Sequence, residues 1–309
     1  MRLIITGGLG HIGSGLLNKI NSFKNLREII VLDYALRNKK NILFNLKIKS
    51  RIRFIEQDIL TFDLNRIVKT GDILIHFAAI TNAVESFKIK KKLIRNNFLS
   101  TKKIVDICKK KNIKCIFFSS TSVYGSSDKI MLEDDYNNLN PQSPYAECKL
   151  KEEKYILSEA KKNKMKFVIL RLGTIYGVSK GMRFHTAVNK FCYQAAFNQP
   201  LTVWKTALNQ KRPYLDLNDA IKCIKFIISK NLFNNNTFNV ITNNIDLRSL
   251  LSIISKYKKI KIKLVSNKIM NQLSYEASNK KILDHGFRSK GNLNLQIKKT
   301  LSLFQGLNK

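Results

Sequence analysis

The chain is short of acid, has few histidines and carries no paired cysteines. Its 309 residues include five cysteines (Cys108, Cys115, Cys148, Cys192, Cys223) with no C-x-x-C among them. The four histidines (His11, His76, His185, His285) are scattered. Neither a disulfide framework nor a metal site is expected from that pattern, which suits a reducing cytoplasm. No apolar run reaches the ~18 residues that a membrane span requires. The N-terminal MRLIIT leads straight into a β-like stretch, without the apolar core and cleavage site of a signal peptide. Internal repeats and low-complexity linkers are also missing. What these absences leave is a cytoplasmic protein, 44% hydrophobic and long enough to bury a sizeable core as one large α/β domain or one plus a smaller lobe.

Lysine and arginine number 56 against 21 acids, a net charge of +35. One reading is a polyanionic partner, either nucleic acid or an acidic membrane face. The other is a lysine-, asparagine- and isoleucine-heavy composition, of the kind AT-rich codon usage gives, spread over solvated faces. Runs such as KIKKK (88–92) and CKKKNIKC (108–115) lack interleaved aromatics, which weighs against nucleic acid. Peripheral membrane association stays open. On either reading the charge favours an anionic substrate such as a nucleotide diphosphate.

Short aliphatic runs at 2–6, 28–33, 51–58, 72–78, 114–120 and 166–172 read as strands. Segments 11–22, 93–111 and 145–163 between them have helical apolar spacing. Alternating βα units with apolar strands predict a Rossmann-type, doubly wound parallel sheet covered by helices on both faces. After Leu172 the alternation breaks down into a helix near 184–197, a strand at 201–204, a helix from Asp219 and a strand at 237–241. Residues 1–172 plus 215–244 are therefore expected to form the dinucleotide-binding domain. Residues 173–214 plus 245–309 are expected to form a smaller, mostly C-terminal substrate lobe.

The first strand runs into TGGLGHIG (6–13). Gly8, Gly10 and Gly13 fit G-x-G-x-x-G, and Gly7, Gly10 and Gly13 fit the G-x-x-G-x-x-G variant. Such a turn lets backbone approach a pyrophosphate, while the next helix presents its free N–H groups. Gly7, Gly10, His11, Ile12 and Gly13 are thus candidate cofactor contacts. The second strand ends in Asp33, twenty residues past Gly13, where a carboxylate suits the adenosine ribose hydroxyls and favours NAD. Arg37 leaves room for NADP.

Three of the ten tyrosines have a lysine four residues on: Tyr145/Lys149, Tyr176/Lys180 and Tyr257/Lys261. Context separates them. Tyr176 and Lys180 are each followed by glycine, and Tyr257 leads into a strand-like run far from the glycine turn. Tyr145 follows Ser143-Pro144 and opens a segment of strong helix formers, which places it beside Lys149 on one helical face. Upstream, FFSSTSVYG (117–125) puts hydroxyls at the C-terminal edge of the sheet. Ser120 could hold a sugar hydroxyl while Tyr145 removes its proton and hydride leaves to the cofactor. The Lys149 ammonium and the nicotinamide charge would favour the phenolate.

TGGLGHIG, Asp33, EQDI (56–59), HFAA (76–79), SSTSVYG, YAECK and RPYLDLNDA (212–220) together resemble the extended short-chain dehydrogenase/reductase superfamily. Within it the chain is most similar to the NAD-dependent nucleotide-sugar epimerase/dehydratase family, of the UDP-glucose 4-epimerase type. The resemblance implies a catalytic set of Ser120, Tyr145 and Lys149, with Tyr145 and Lys149 also against the nicotinamide ribose. It implies Asp58 and Ile59 beside the adenine, and Phe77, Ala78, Ala79 and Asn97 along the cofactor. It implies a homodimer through the helices at 93–111 and 145–163.

Dehydratases of the family carry Asp-Glu after the serine, where this chain has Thr121 and Ser122. That weighs against elimination and leaves oxidation at C4 followed by hydride return, with tightly held NAD. Substrate candidates on the same resemblance are Thr121, Thr174, Arg183, His185 and Asn189, with Thr202 and Trp204 against the base and Arg212 on the diphosphate of a nucleotide-diphosphate sugar. Thr174 stands where many 4-epimerases have asparagine, Thr81 where the galactose type has lysine, and Cys148 where serine or threonine often precedes the lysine. The alternatives are a 4-keto-sugar reductase or dehydratase on the same scaffold, and a non-catalytic protein that binds dinucleotide and a polyanion.

Overall fold

A computed structural model describes residues 1–34, 39–266 and 274–307. Arg37 lies outside the described residues. The first half of the chain runs β1 (Arg2–Thr6), α1 (His11–Asn18), β2 (Glu28–Asp33), β3 (Arg51–Glu56), β4 (Ile73–His76), α2 (Lys90–Lys111) and β5 (Lys114–Ser120). There follow β6 (Ile130–Met131), α3 (Pro144–Lys162), β7 (Lys166–Leu172), β8 (Thr174–Tyr176), α4 (Ala187–Ala196) and β9 (Leu201–Trp204). The remainder is β10 (Lys211–Asp216), α5 (Leu217–Ser229), β11 (Asn236–Val240), β12 (Asn243–Asp246), α6 (Leu247–Ser255), β13 (Ile262–Val265), β14 (Glu276–Ala277), α7 (Lys280–Asp284) and α8 (Leu293–Ser302).

Seven parallel strands form the main sheet in the order β11-β7-β5-β4-β1-β2-β3. Side chains alternate across a strand, and in β1, β2 and β4 both faces are buried, whereas the edge strand β3 is largely exposed. Leu3, Ile5, Ile29, Val31 and Ile75 enter one core with Leu16, Leu17 and Ile224 of α1 and α5. Ile4, Ile30, Leu32 and Leu74 enter the other with Ile104, Val105 and Ile156 of α2 and α3. A continuous apolar strand is the consequence, and it explains why these segments carry no polar alternation. The expected doubly wound parallel sheet is present. Strand order reverses between β1 and β4, which opens a crevice at their carboxyl ends.

The later elements build a separate, smaller core from Tyr176, Val188, Phe191, Leu201, Val203, Leu250, Ile254 and Ile297. It is bounded by a three-stranded sheet, β12-β10-β8, and a parallel pair, β13-β9. Ile282 and Phe287, late in the chain, return to the core beneath the main sheet. All five cysteines are free and buried. Among the described residues no helix is long and apolar enough to cross a membrane.

Local chemistry sets where elements begin. Ser143 caps α3 by accepting the Ala146 N–H at 3.2 Å, and Pro144 occupies the first turn, where its missing N–H costs nothing. The helix expected near 184–197 starts only at Ala187, after Thr186 in extended backbone. Helix α1 stops at Asn18, with a separate 3₁₀ turn at Ile20–Ser22. Among the described residues, every non-glycine residue with positive φ is an asparagine: Asn25, Asn45, Asn112, Asn198, Asn231 and Asn235. Asparagine tolerates the left-handed region better than the lysine and isoleucine that dominate this composition.

Arg171 of β7 is fully buried (0% exposed). Its Nε and Nη2 donate to the Glu153 carboxylate of α3 at 2.7 to 3.1 Å. Its Nη1 donates to the Tyr124 hydroxyl at 2.9 Å and to the Glu133 carbonyl at 3.0 Å. Breaking such a pair from one side leaves a bare charge in the core, so Arg171→Met should destabilise the protein by about 3–5 kcal/mol in urea unfolding. The double variant with Glu153→Leu should recover part of that loss, because no lone carboxylate remains.

Candidate active site

A cavity of about 320 Å³ opens at the strand-order reversal. The glycine turn after β1, the loop after β4, the end of β5, the start of α3 and segment 172–187 all line it. Helix α1 has Gly10 at its N-cap and no side-chain cap, so its first N–H groups are left for a ligand. A Cβ on Gly10 would meet only Gly7 O at 3.3 Å and Arg183 Nη2 at 3.6 Å. The turn is therefore open on the cavity side, where a phosphate could sit against backbone. Gly7, Gly10, His11, Ile12, Gly13, Phe77 and Ala79 line this wall as expected.

Other cofactor candidates stand around that wall instead of on it. Asp33 ends β2, and its Oδ2 accepts the Leu9 N–H at 2.8 Å. Burial pushes its carboxyl up, against the Leu9 bond and the charges of Lys39 and Arg183. Asp58 follows β3, and its Oδ1 accepts the Leu60 N–H at 2.9 Å, while Ile59 is buried. Neither lines the cavity, nor does Ala78. Asn97 of α2 is also off the wall. Its amide binds both backbone groups of Ile80, at 2.8 and 2.9 Å, and so fixes the loop that presents Phe77 and Ala79.

Ser120, Tyr145 and Lys149 line the same cavity, with Thr121 and Ser122. Ser120 closes β5, and its Oγ accepts from Ser122 N at 3.2 Å and Ser122 Oγ at 2.9 Å. Tyr145 and Lys149 face the cavity one turn apart on α3. The Lys149 Nζ donates to Glu152 Oε2 at 2.9 Å, in a pair with both side chains under a tenth exposed. Glu152 also accepts from Thr101 of α2 at 3.0 Å and from the Cys148 thiol at 3.4 Å. Burial depresses the Lys149 ammonium, but Glu152 and Tyr145 outweigh it and the net direction is upward. For Tyr145, burial raises the phenol above its usual value. Lys149 and Arg183 pull it down, while Glu152 pushes it up. In the protein alone Lys149 does not overcome burial.

Of the substrate candidates, Thr174, Arg183, His185 and Arg212 line the cavity. Burial and the neighbouring Arg183 hold His185 below its ordinary value. Asn189 is elsewhere: fully buried, it accepts from Gly177 N at 3.4 Å and donates to Arg183 O at 2.9 Å. Both amide ends are taken, which removes it from direct substrate contact. Thr202 and Trp204 lie on β9, paired with β13, and are not among the lining residues. The Tyr176 and Tyr257 pairs contribute nothing to the cavity.

Three residues important to this geometry escaped the sequence reading. Glu152 could have been found, since a carboxylate three residues after Lys149 shares its helical face. His76 lines the cavity from the end of β4, with Nδ1 2.7 Å from Thr6 Oγ1. Tyr275, whose hydroxyl lies 3.0 Å from Thr121 Oγ1, comes from a distant segment with no local signal.

A sequence model of the NAD dependent epimerase/dehydratase family matches residues 3–240. The chain belongs to that family. Among its relatives is the UDP-glucose epimerase YtcB of Bacillus subtilis, itself uncharacterised, 27% identical over 90% of this chain and 88% of that protein. The dTDP-D-glucose 4,6-dehydratase of Dictyostelium discoideum is 32% identical over 74% of this chain and 56% of its own length. The crystal structure of the UDP-glucuronic acid 4-epimerase of Bacillus cereus in complex with NAD superposes over all of both chains, with a TM-score of 0.87 at 24% identity, a likeness of fold. The family's cofactor is NAD, and the open glycine turn and uncapped α1 fit its pyrophosphate.

Two buried histidines of the site make acid stability a direct test. Burial lowers His11 to about 4 and, with Lys149 adding, His76 to about 3. Unfolded, each returns to about 6.5. The unfolded chain thus binds more protons below that value, so this contribution is complete above about pH 6.5 and is lost as pH falls toward the folded values. His76→Gln should flatten the fall in unfolding free energy between pH 7.5 and 5 by about 2 kcal/mol, whatever its effect at pH 7.5.

Proposed function

We propose that the protein is an NAD-dependent nucleotide-sugar epimerase that acts at C4 through a transient 4-keto sugar and keeps its NAD between turnovers. The observation that carries this reading is the company Tyr145 keeps. Ser120, Tyr145 and Lys149 line one cavity with the glycine turn, and no aspartate or glutamate is among its described lining residues. Elimination of water needs an added acid and base. Without a carboxylate, oxidation and hydride return are the chemistry that remains, and this weighs against the dehydratase alternative.

NAD, when bound, supplies the hydride acceptor and later the donor. Ser120 holds the C4 hydroxyl of the sugar, and Tyr145 as phenolate takes its proton. Lys149 supplies positive charge beside that phenolate and a donor toward the cofactor's ribose. Return of that hydride to the other face of the carbonyl would invert C4, and Tyr145 gives the proton back to the oxygen. Arg212 of β10 takes the substrate diphosphate, for which a planar guanidinium fork is suited. His185 lines the sugar end, and its lowered pKa keeps it neutral there.

A homodimer through α2 and α3 and a cytoplasmic location belong to the same proposal. So does the division into a dinucleotide-binding lobe and a substrate lobe, with the packing of Ile282 and Phe287 favouring transfer of that short segment to the first. Incubation with UDP-, GDP-, dTDP- and CDP-sugars, without added cofactor, should yield an equilibrium pair of C4 epimers by NMR. Tyr145→Phe should lower that rate by about 10²–10⁴-fold. Stoichiometric NAD(P)H consumption on 4-keto-sugars, with no epimer formed, would instead mark a reductase.

A further inference from the structure

We propose that Arg183 binds the pyrophosphate of the dinucleotide and, with the segment 177–183 that carries it, latches the cofactor in place, leaving the diphosphate of the sugar nucleotide to Arg212. This rests on the reading that the cavity takes NAD, and it moves Arg183 from the substrate to the cofactor.

Segment 177–183 leaves β8 and lies directly on the glycine turn and α1. The His11 ring Nε2 is 2.9 Å from Gly177 O, and the Ser179 hydroxyl donates to His11 O at 3.0 Å. Gly181 N–H donates to Ser14 Oγ at 2.9 Å. Asn189 ties both ends of the segment through Gly177 N and Arg183 O. Gly181 touches Gly10 so closely that a Cβ there would stand 2.6 Å from Gly10 O. Lys180 adds a bond to Phe44 O, in the connection between β2 and β3.

The latch delivers a guanidinium to the turn. Arg183 Nη2 is 3.6 Å from the position a Gly10 Cβ would occupy, on the face where a phosphate would sit. No carboxylate among the described residues is within ion-pair distance of Arg183. Its charge instead acts on Tyr145 and on Asp33, the carboxylate that binds Leu9 N–H of the glycine turn. Arg212 comes from β10, beside Tyr214 and Tyr275. Two diphosphates must enter one cavity, and among its described lining residues the two guanidiniums come from different elements, one on segment 177–183 and one on β10. Lys149, which also lines the cavity, pairs with Glu152.

The test uses the full chain and NADH as probe. Stopped-flow displacement of bound NADH gives the release rate, and turnover at saturating NAD gives KM for the sugar nucleotide. Arg183→Gln should speed release about tenfold or more, the loss expected for a charge-assisted contact, with KM unchanged. Arg183→Lys should restore part of the retention. Gly181→Ala, which keeps the guanidinium but lifts the segment from Gly10, should also speed release. Wild-type release rates in these variants, or a raised KM in Arg183→Gln with release unchanged, would overturn the assignment. Failure of the wild-type chain to bind NADH would overturn the cofactor reading and the assignment with it.

Discussion

The Arg171 guanidinium sits between β7 and α3 and touches nothing in the cavity, yet the candidate reacting groups depend on it. Glu153, its bidentate partner, is one turn along α3 from Lys149 and two from Tyr145. Tyr124, which accepts from Arg171, donates in turn to Asn239 Oδ1 at 2.7 Å, and Glu133 accepts the Asn239 N–H at 2.8 Å. This one network therefore joins β5's continuation, α3, β7 and β11. It sets both the rotation and the height of α3 against the sheet edge that carries Ser120. The side chains are desolvated at considerable cost, and the multiple bonds offset it.

Two adjacent glutamates on α3 divide the labour. Successive helical residues point about 100° apart, so Glu153 turns toward Arg171 and Glu152 toward Lys149 and α2. The second pairing has a chemical consequence. It keeps Lys149 charged while cancelling part of the field that Lys149 exerts on Tyr145. With burial also opposing ionisation, the phenol in the bare protein stays protonated. On the proposed mechanism, the positive ring of a bound nicotinamide would have to tip the balance, which would couple proton abstraction to cofactor occupancy.

The parallel sheet was legible because its central strands are apolar on both faces and its turns carry glycine, asparagine and serine where backbone demands them. That Tyr145 and Lys149 would share one helical face was legible because α3 announces itself with Ser143-Pro144 and spaces the two residues one turn apart. What periodicity could not supply was contact between distant segments. Asn97 and Asn189 were marked as ligand contacts by position, yet each has both amide ends committed to backbone, one at Ile80 and one at the ends of 177–183. His76 and Tyr275 reach the cavity through strand order and a long return of the chain, neither written in local pattern. Thr202 and Trp204, which the resemblance sets against the base, lie on the paired strand β9 and are not among the described lining residues of the cavity.

The contact of segment 177–183 with the glycine turn bears on redox isolation. A dinucleotide held beneath that segment, as proposed, would exchange with the surrounding solution only when several hydrogen bonds open together. Each completed turnover would then return it to the oxidised form, out of reach of the nicotinamide pool outside. The direction of net conversion follows from the two sugars' relative free energies alone, and the enzyme runs as a closed electrical circuit within one cavity.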